Sequence, residues 1–472
     1  MIPQQYDTIV IGGGVGGLSA ACYEAKKSKT VLLLEKNQSV GGKAAPEHIA
    51  GLTVDPGPSI IVLKWIYEKY FRDMGYEAGE YIDFDPLNTI MSLEHGGQVW
   101  DIPSGVENFL GYIESHFSQD LKGFEWLIGA CTKLYPKVKS TIYQRPYTSL
   151  RDSLVLPTSL HPQALQLLLP FGYLVESKFS HPAIKGLLYD YLTYSGHTPN
   201  QPSTTAWFTL FTMIYEGVYY PRGGIHKIPY ALSQVATSLG VDIKTNHSVK
   251  KITRSTTDLT YSVITEDGCF RCNNIISNVD PIVTNSLLGK PAKKAKPSFS
   301  YATLTYAYTE TPDASHHTLH IPLSYKQSYD NLFNHRQTRE DKYVYYLNHP
   351  HISDELTDPY LFVVAPMSTI TPQDGWETLL HSLDEQVRIN FQRQSNLDLK
   401  LIDSKSPLNF ATRDSNPDGS LFGSGYSLFT LLPQPLNTNQ EGIIHVGGAV
   451  QPGAGLPMVL LSGKFASEYI KR

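Results

Sequence analysis

The sequence predicts an α/β protein: a parallel, helix-flanked sheet split across the chain, with a helical insertion and a second, mixed sheet between its parts. Three observations predict it. An apolar run, a glycine-rich loop, a helical stretch and a second apolar run ending in an acid follow one another over residues 8–35. A further strand, glycine loop and apolar helix run from Gly442 to Ile470. Between these units lie helix-patterned segments and then alternating aromatic and β-branched segments.

Thr8 to Ile11 reads as a buried strand, and Gly12, Gly14 and Gly17 occupy the G-x-G-x-x-G positions at its exit. Gly12 permits the tight turn, Gly14 lets the backbone approach a pyrophosphate, and Gly17 lets the next helix pack close to the sheet. That helix, from Leu18 to Ala25, turns its free N–H groups and positive dipole end toward the phosphates. Thr30 to Leu34 is a second buried strand, and Glu35 at its end stands where a ribose-binding acid is required. Such a carboxylate accepts from ribose hydroxyls and repels a 2′-phosphate. A lone G-x-G-x-x-G is a common turn, but here the strand, the helix and the acid agree on a Rossmann-type adenine dinucleotide site.

Two segments select a flavin over a nicotinamide. In Val40-Gly41-Gly42-Lys43-Ala44, Gly42 gives a second close approach of backbone and Lys43 offsets pyrophosphate charge. Asp55-Pro56-Gly57-Pro58-Ser59 is a stiff turn after Leu52 to Val54, suited to a ring-shaped ligand. At the far end, the strand Gly442 to Val446 leads through Gly447-Gly448 to Leu456-Pro457-Met458 and a helix from Val459 to Ile470. Pro457 suits a first helical turn, where its missing N–H costs nothing. The helix start aims backbone donors at whatever lies above it, which is what a flavin needs at N1 and its C2 carbonyl when it accepts a hydride. FAD is therefore the expected cofactor, held by both chain ends.

A chain of 472 residues accommodates two or three domains. The expected FAD-binding domain comprises residues 1–102, 220–289 and 437–472, with a helical insertion at 103–219 and a substrate-domain sheet at 290–436. Helices are expected at Val106–His116, Leu121–Leu134 and Pro162–Leu169, and strands at Tyr301–Thr309, Tyr343–Leu347 and Tyr360–Ala365. Ala206 to Tyr215 fits either a core helix or the wall of a hydrophobic tunnel. Arg222 is either structural or facing the flavin.

The formal charge of −5 offers no electrostatic case for a nucleic-acid partner. Four cysteines are too few for a disulfide framework and point to a reducing compartment. Cys269-Phe270-Arg271-Cys272 lacks the second pair a zinc site needs and falls in a hairpin pattern. His316, His317 and His320, in the segment Asp313 to His320, read as solvated loop histidines, so no metal is expected. Gly423-Ser424-Gly425 lacks the form of a nucleophile elbow. The N-terminus runs straight into the first strand, leaving no expected signal peptide, and no stretch has 18 uninterrupted apolar residues.

With these pieces in place the chain resembles the carotenoid desaturases of the phytoene desaturase group, within the flavin amine oxidase superfamily. The resemblance rests on Gly12 to Leu18, Glu35-Lys36, Gly41-Gly42-Lys43, Asp55 to Ser59, Tyr219 to His226, Ser277 to Pro281 and Pro452 to Pro457, in the family's order. The tail Pro457 to Lys464 is most similar to hydroxycarotenoid 3,4-desaturases. The resemblance implies that Glu35 binds the adenosine ribose, Gly42 and Lys43 the phosphate region, the backbone of Val249 the adenine, and Gly448 with Leu456, Pro457 and Met458 the flavin. It adds Gly57, Pro58 and Ser59 to the cofactor site. Gly448 departs from the alanine or aspartate usual in relatives, and Gln451 from a frequent histidine.

The activity implied is removal of a hydride and a proton from allylic C–C bonds of a long acyclic carotene or hydroxycarotene. Such a reaction asks the protein mainly to position one C–H bond and exclude water, so no catalytic residue is nominated. A lipophilic isoprenoid substrate implies peripheral docking on a membrane, a cytoplasmic location, and oxygen or a quinone as electron acceptor. A carotenoid isomerase or ketolase, a flavin amine oxidase, and a prenyl-carrier protein without redox chemistry are the alternatives.

Overall fold

In the computed structural model of the chain, the described residues are 4–146, 162–291, 299–308, 314–335, 343–350, 359–394, 398–414, 416, 419–421 and 442–470. The first sheet is organised around β1 (Gln4–Ile11), which pairs in parallel on both sides, with β2 (Val31–Leu34) and with the Cys269–Ser277 strand. Parallel strands with both faces covered read as continuous apolar runs, and Ile9, Val10 and Leu32 are fully buried. Asp242–Lys244 extends the sheet beyond β2, while Lys251–Arg254 and Tyr261–Ile264 form an antiparallel flank on the other side. Ile444–His445 runs parallel to the end of the Cys269–Ser277 strand. The two chain ends thus share one sheet, as expected.

Helix α1 (Val15–Ala25) crosses the C-terminal helix Leu456–Ile470 at Gly463, where an added Cβ would lie 2.6 Å from the Ala20 nitrogen. Ser19 Oγ donates to the Leu460 carbonyl at 2.7 Å, and Ser467 Oγ to Glu24 at 2.8 Å. The absence of a side chain at Gly463 lets these hydrogen bonds form.

The second sheet is mixed. Its order is Lys400–Lys405, Phe299–Ala307, Tyr360–Ser368, Tyr345–Asn348, His317–Ile321, Thr89–His95 and Gln98–Pro103, antiparallel except where His317–Ile321 meets Thr89–His95. The hairpin 89–103, expected with the dinucleotide-binding residues 1–102, therefore pairs into the second sheet instead. Its alternation marks it as strand but does not reveal its partner. Helix Gly375–Gln394 packs Leu379, Leu383 and Val387 against Leu304, Val363 and Met367 on one face. The other face meets the helical insertion, where Gly186 lies against Ile321.

That insertion contains Val106–His116, Leu121–Ser140, Phe171–Lys178, Pro182–Asp190 and Thr204–Glu216. Of the two readings of the last helix, the structure supports a core element: Trp207, Leu210, Phe211 and Ile214 are 0% exposed, and Phe171 stacks on Trp207 with ring centroids 4.2 Å apart.

The histidines behave differently from the expectation. His316, His317 and His320 are buried, not solvated, because residues 317–321 form an interior strand. His317 Nδ1 pairs with Asn348 Oδ1, and His320 Nδ1 with Glu94. Asp313 lies outside the described residues, as do Gly423-Ser424-Gly425 and the 436/437 boundary. Cys269 and Cys272 sit on a hairpin strand opposite Ile264 and Tyr261. Among the described residues no helix is long and apolar enough to cross a membrane.

Candidate functional site

The glycine loop after β1 is shaped by its neighbours. Gly12 turns with φ +94°, and a Cβ on Gly17 would meet the Gly12 carbonyl oxygen at 2.1 Å. Gly17 thus serves close packing, as expected, and Gly12 the turn. Glu35 has a structural task of its own. Its Oε2 accepts from the Gly13 N–H at 2.7 Å and its Oε1 from Asn37 N–H at 2.9 Å, so the acid at the end of β2 also holds the loop. Each oxygen keeps lone-pair capacity for a further donor.

The second diglycine lies beside the first, with the Gly41 N–H donating to the Gly13 carbonyl at 2.8 Å. Gly42 approaches Gly14 so closely that an added Cβ would sit 3.2 Å from the Gly14 Cα. Lys43 donates to the Leu421 carbonyl at 2.7 Å, and burial pulls its pKa below the usual lysine range. Gly57 packs under it, since a Cβ there would lie 2.0 Å from the Lys43 carbonyl oxygen.

Asp55 explains why that turn stands where it does. Its Oδ2 accepts from the Ile225 N–H at 2.6 Å and its Oδ1 from the His226 N–H at 3.2 Å, with His226 Nδ1 at 2.8 Å from Oδ1. The Asp55 N–H donates in turn to the Tyr360 hydroxyl at 3.0 Å. Two motif segments far apart in sequence, residues 55–59 and 219–226, are thereby clamped together. Arg222 resolves to the structural alternative, donating through Nη2 to Asp85 at 2.9 Å.

A single cleft gathers the expected residues from both chain ends. Gly12, Gly14, Glu35, Gly42, Lys43, Pro58, Val249, Gly448 and Leu456 line it. Gly17, Gly57, Ser59, Pro457 and Met458 do not; Gly17 and Gly57 lie behind the wall, and Pro457 and Met458 belong to the first turn of the C-terminal helix. The Gly447 N–H donates to Ser462 Oγ at 2.9 Å, tying the strand exit to that helix. Val249 precedes the Lys251–Arg254 strand.

Asn278, Arg413 and Asp414 are among the cleft residues that sequence reasoning did not assign. Asn278 fills the space beside the loop, its side chain 2.5 Å from where a Gly14 Cβ would be and 2.8 Å from where a Gly16 Cβ would be. Arg413 and Asp414 reach the cleft from helix Pro407–Asp414. The Asn278 signal was available in Ser277-Asn278-Val279-Asp280-Pro281, whereas nothing local marks Arg413.

This donor set fits an adenine dinucleotide with a flavin: backbone loops without side chains, buried Lys43, an acid at the end of β2, and the start of a 15-residue helix. A family profile described as flavin containing amine oxidoreductase matches residues 15–471. Carotenoid 3,4-desaturase of Haloarcula japonica is 26% identical over 98% of this chain and 97% of its own length. 1-Hydroxycarotenoid 3,4-desaturase of a Flavobacterium is also 26% identical, over 98% of both chains. An oxidoreductase from Methanosarcina mazei shares the fold, with a TM-score of 0.63 at 16% identity, over 99% of this chain and 100% of its own. The chain therefore belongs to the flavin containing amine oxidoreductase family and is an FAD-dependent oxidoreductase.

Proposed function

We propose that the protein is a carotenoid desaturase, taking hydrogen from a CH–CH unit of a long isoprenoid, with a hydroxylated acyclic carotene as the preferred substrate class. The observation that carries this reading is the end-to-end likeness to relatives named carotenoid 3,4-desaturase and 1-hydroxycarotenoid 3,4-desaturase, each spanning 98% of this chain. The chemistry supplied by bound FAD is hydride acceptance. The chain's own part is binding and positioning. Gly12, Gly14, Gly42 and Lys43 hold the phosphates, Glu35 the ribose, Val249 the adenine, and Gly448 with Leu456 the flavin end, behind which Gly17 and Gly57 keep the wall thin. The start of the C-terminal helix presents a positive dipole end to the cleft, which favours negative charge there. The helical insertion and the second sheet, with its hairpin 89–103, supply the substrate side.

A polyene is drawn from a bilayer, so the protein docks peripherally and hands electrons to oxygen or a quinone. Leu165, Leu169 and Tyr173 of the insertion are exposed by 42%, 41% and 64%, which supports docking through this region. Cosedimentation with liposomes tests that part; protein remaining in the supernatant refutes it. The activity itself is tested by extracting pigment from cells that make the protein together with acyclic carotenes, with and without a terminal hydroxyl. A shift of absorption to longer wavelength is expected, larger with the hydroxylated precursor. A flavin-loaded protein that leaves every spectrum unchanged overturns the reading.

A further inference from the structure

One wall of the dinucleotide cleft comes from the second-sheet half of the molecule. Strand Lys400–Lys405 pairs with Phe299–Ala307, and the helix that follows, Pro407–Asp414, brings Arg413 and Asp414 to the cleft that Gly14 and Lys43 also line. This wall is fastened to the dinucleotide half from several sides. Lys36 Nζ donates to the Thr412 carbonyl at 3.0 Å and Lys43 Nζ to the Leu421 carbonyl at 2.7 Å. Arg413 Nη1 donates to Glu47 Oε1 at 2.9 Å, and Lys405 pairs with the other Glu47 oxygen.

Arg413 is the cation that this wall brings to the cleft. Its Nε and Nη2 donate to the two oxygens of Asp414 at 2.9 and 3.1 Å, and its side chain is 21% exposed. A guanidinium has five N–H donors, and the Glu47 and Asp414 bonds use three among the described residues. Two carboxylates, one from each half of the molecule, hold the plane of the fork rigid before any ligand arrives. A preorganised guanidinium matches phosphate oxygens better than a flexible ammonium does.

We propose that Arg413 is a further FAD-binding residue, contacting the pyrophosphate, and that Glu47 is its positioning residue. Helix Pro407–Asp414 thereby straps the cofactor into the cleft, so retention of FAD depends on a part of the chain outside the dinucleotide-binding motif. The strap reads phosphate and not the isoalloxazine ring.

The test compares FAD with riboflavin, which carries the ring but no phosphate, by quenching of flavin fluorescence on the apoprotein. Arg413→Ala is expected to raise the Kd for FAD at least tenfold, about 1.4 kcal/mol, while changing that for riboflavin less than twofold. Arg413→Lys recovers only part of the loss, and Glu47→Gln gives a smaller loss of the same selectivity. Thermal unfolding of each apoprotein is measured alongside; if Arg413→Ala does not fold, Glu47→Gln and Arg413→Lys carry the comparison. FAD affinity within twofold of wild type, or equal losses for FAD and riboflavin, overturns the proposal. Wild-type apoprotein that binds no FAD overturns the cofactor assignment as well, which separates the two failures.

Discussion

Asp190 is fully buried where the helical insertion meets the second sheet, and its carboxylate accepts from the Tyr329 hydroxyl at 3.2 Å and from the Tyr346 hydroxyl. Desolvation outweighs both hydrogen bonds and pushes its pKa up to about 7. A carboxyl whose folded pKa lies above its unfolded value binds its proton more tightly in the folded state. The stability it contributes is fully present below about pH 4 and lost as pH rises through about 7. His317, stacked on Tyr346, acts in the opposite sense, since burial lowers its pKa to about 4. The difference between wild type and Asp190→Asn isolates the acid, because the amide keeps an acceptor for a tyrosine and does not titrate. The melting temperature of the variant relative to wild type is expected to rise between pH 5 and pH 8. A constant difference across that range refutes the assignment.

At the scale of elements, the Asp55 clamp joins the end of the Leu52–Val54 strand to the turn before helix Lys227–Ser238. Asp55→Asn puts an amide N–H where backbone donors arrive, leaving at least one buried donor without an acceptor. The expected cost is about 1–3 kcal/mol, read by urea unfolding, together with weaker FAD retention because Pro58 shares this turn with the clamp. Unchanged stability and full flavin content contradict the clamp. Most elements here were legible because their signals are local. Val106–His116 begins and ends where its periodicity does, and Pro457 falls in the first turn of its helix. Pairings between distant segments carry no such signal. Residues 89–103 alternate like any hairpin, and only the parallel match of Thr318 to Ser92 assigns them to the second sheet. The same limit hid the burial of His317 and His320, whose neighbours Asn348 and Glu94 come from other strands. It hid Arg413 too, whose place in the cleft depends on Glu47 far earlier in the chain.

The molecule as a whole depends on its two ends staying in register, because the cleft is built from loops at both. The glycine loop leads into α1, and Gly447 to Gly455 leads into the C-terminal helix; the two helices touch at Gly463. There a Cβ would come within 2.6 Å of both the Ala20 nitrogen and the Ser19 side chain, so even alanine requires the helices to separate. Gly463→Val pushes them further, strains the hydrogen bond from Ser19 to Leu460, and moves the helix start that Ser462 ties to Gly447. Overpacking of this kind costs about 1–3 kcal/mol, too little to unfold a large protein outright. The separation shifts the loops from both ends that line the cleft. Gly463→Val is therefore expected to fold with a lowered melting temperature and to lose bound flavin out of proportion to that change, measured as flavin absorbance per protein. Gly79→Ala is the control, since its added methyl meets nothing within 4 Å, and it is expected to match wild type in both respects. If Gly463→Val keeps its full complement of flavin, the two ends do not hold the cofactor jointly.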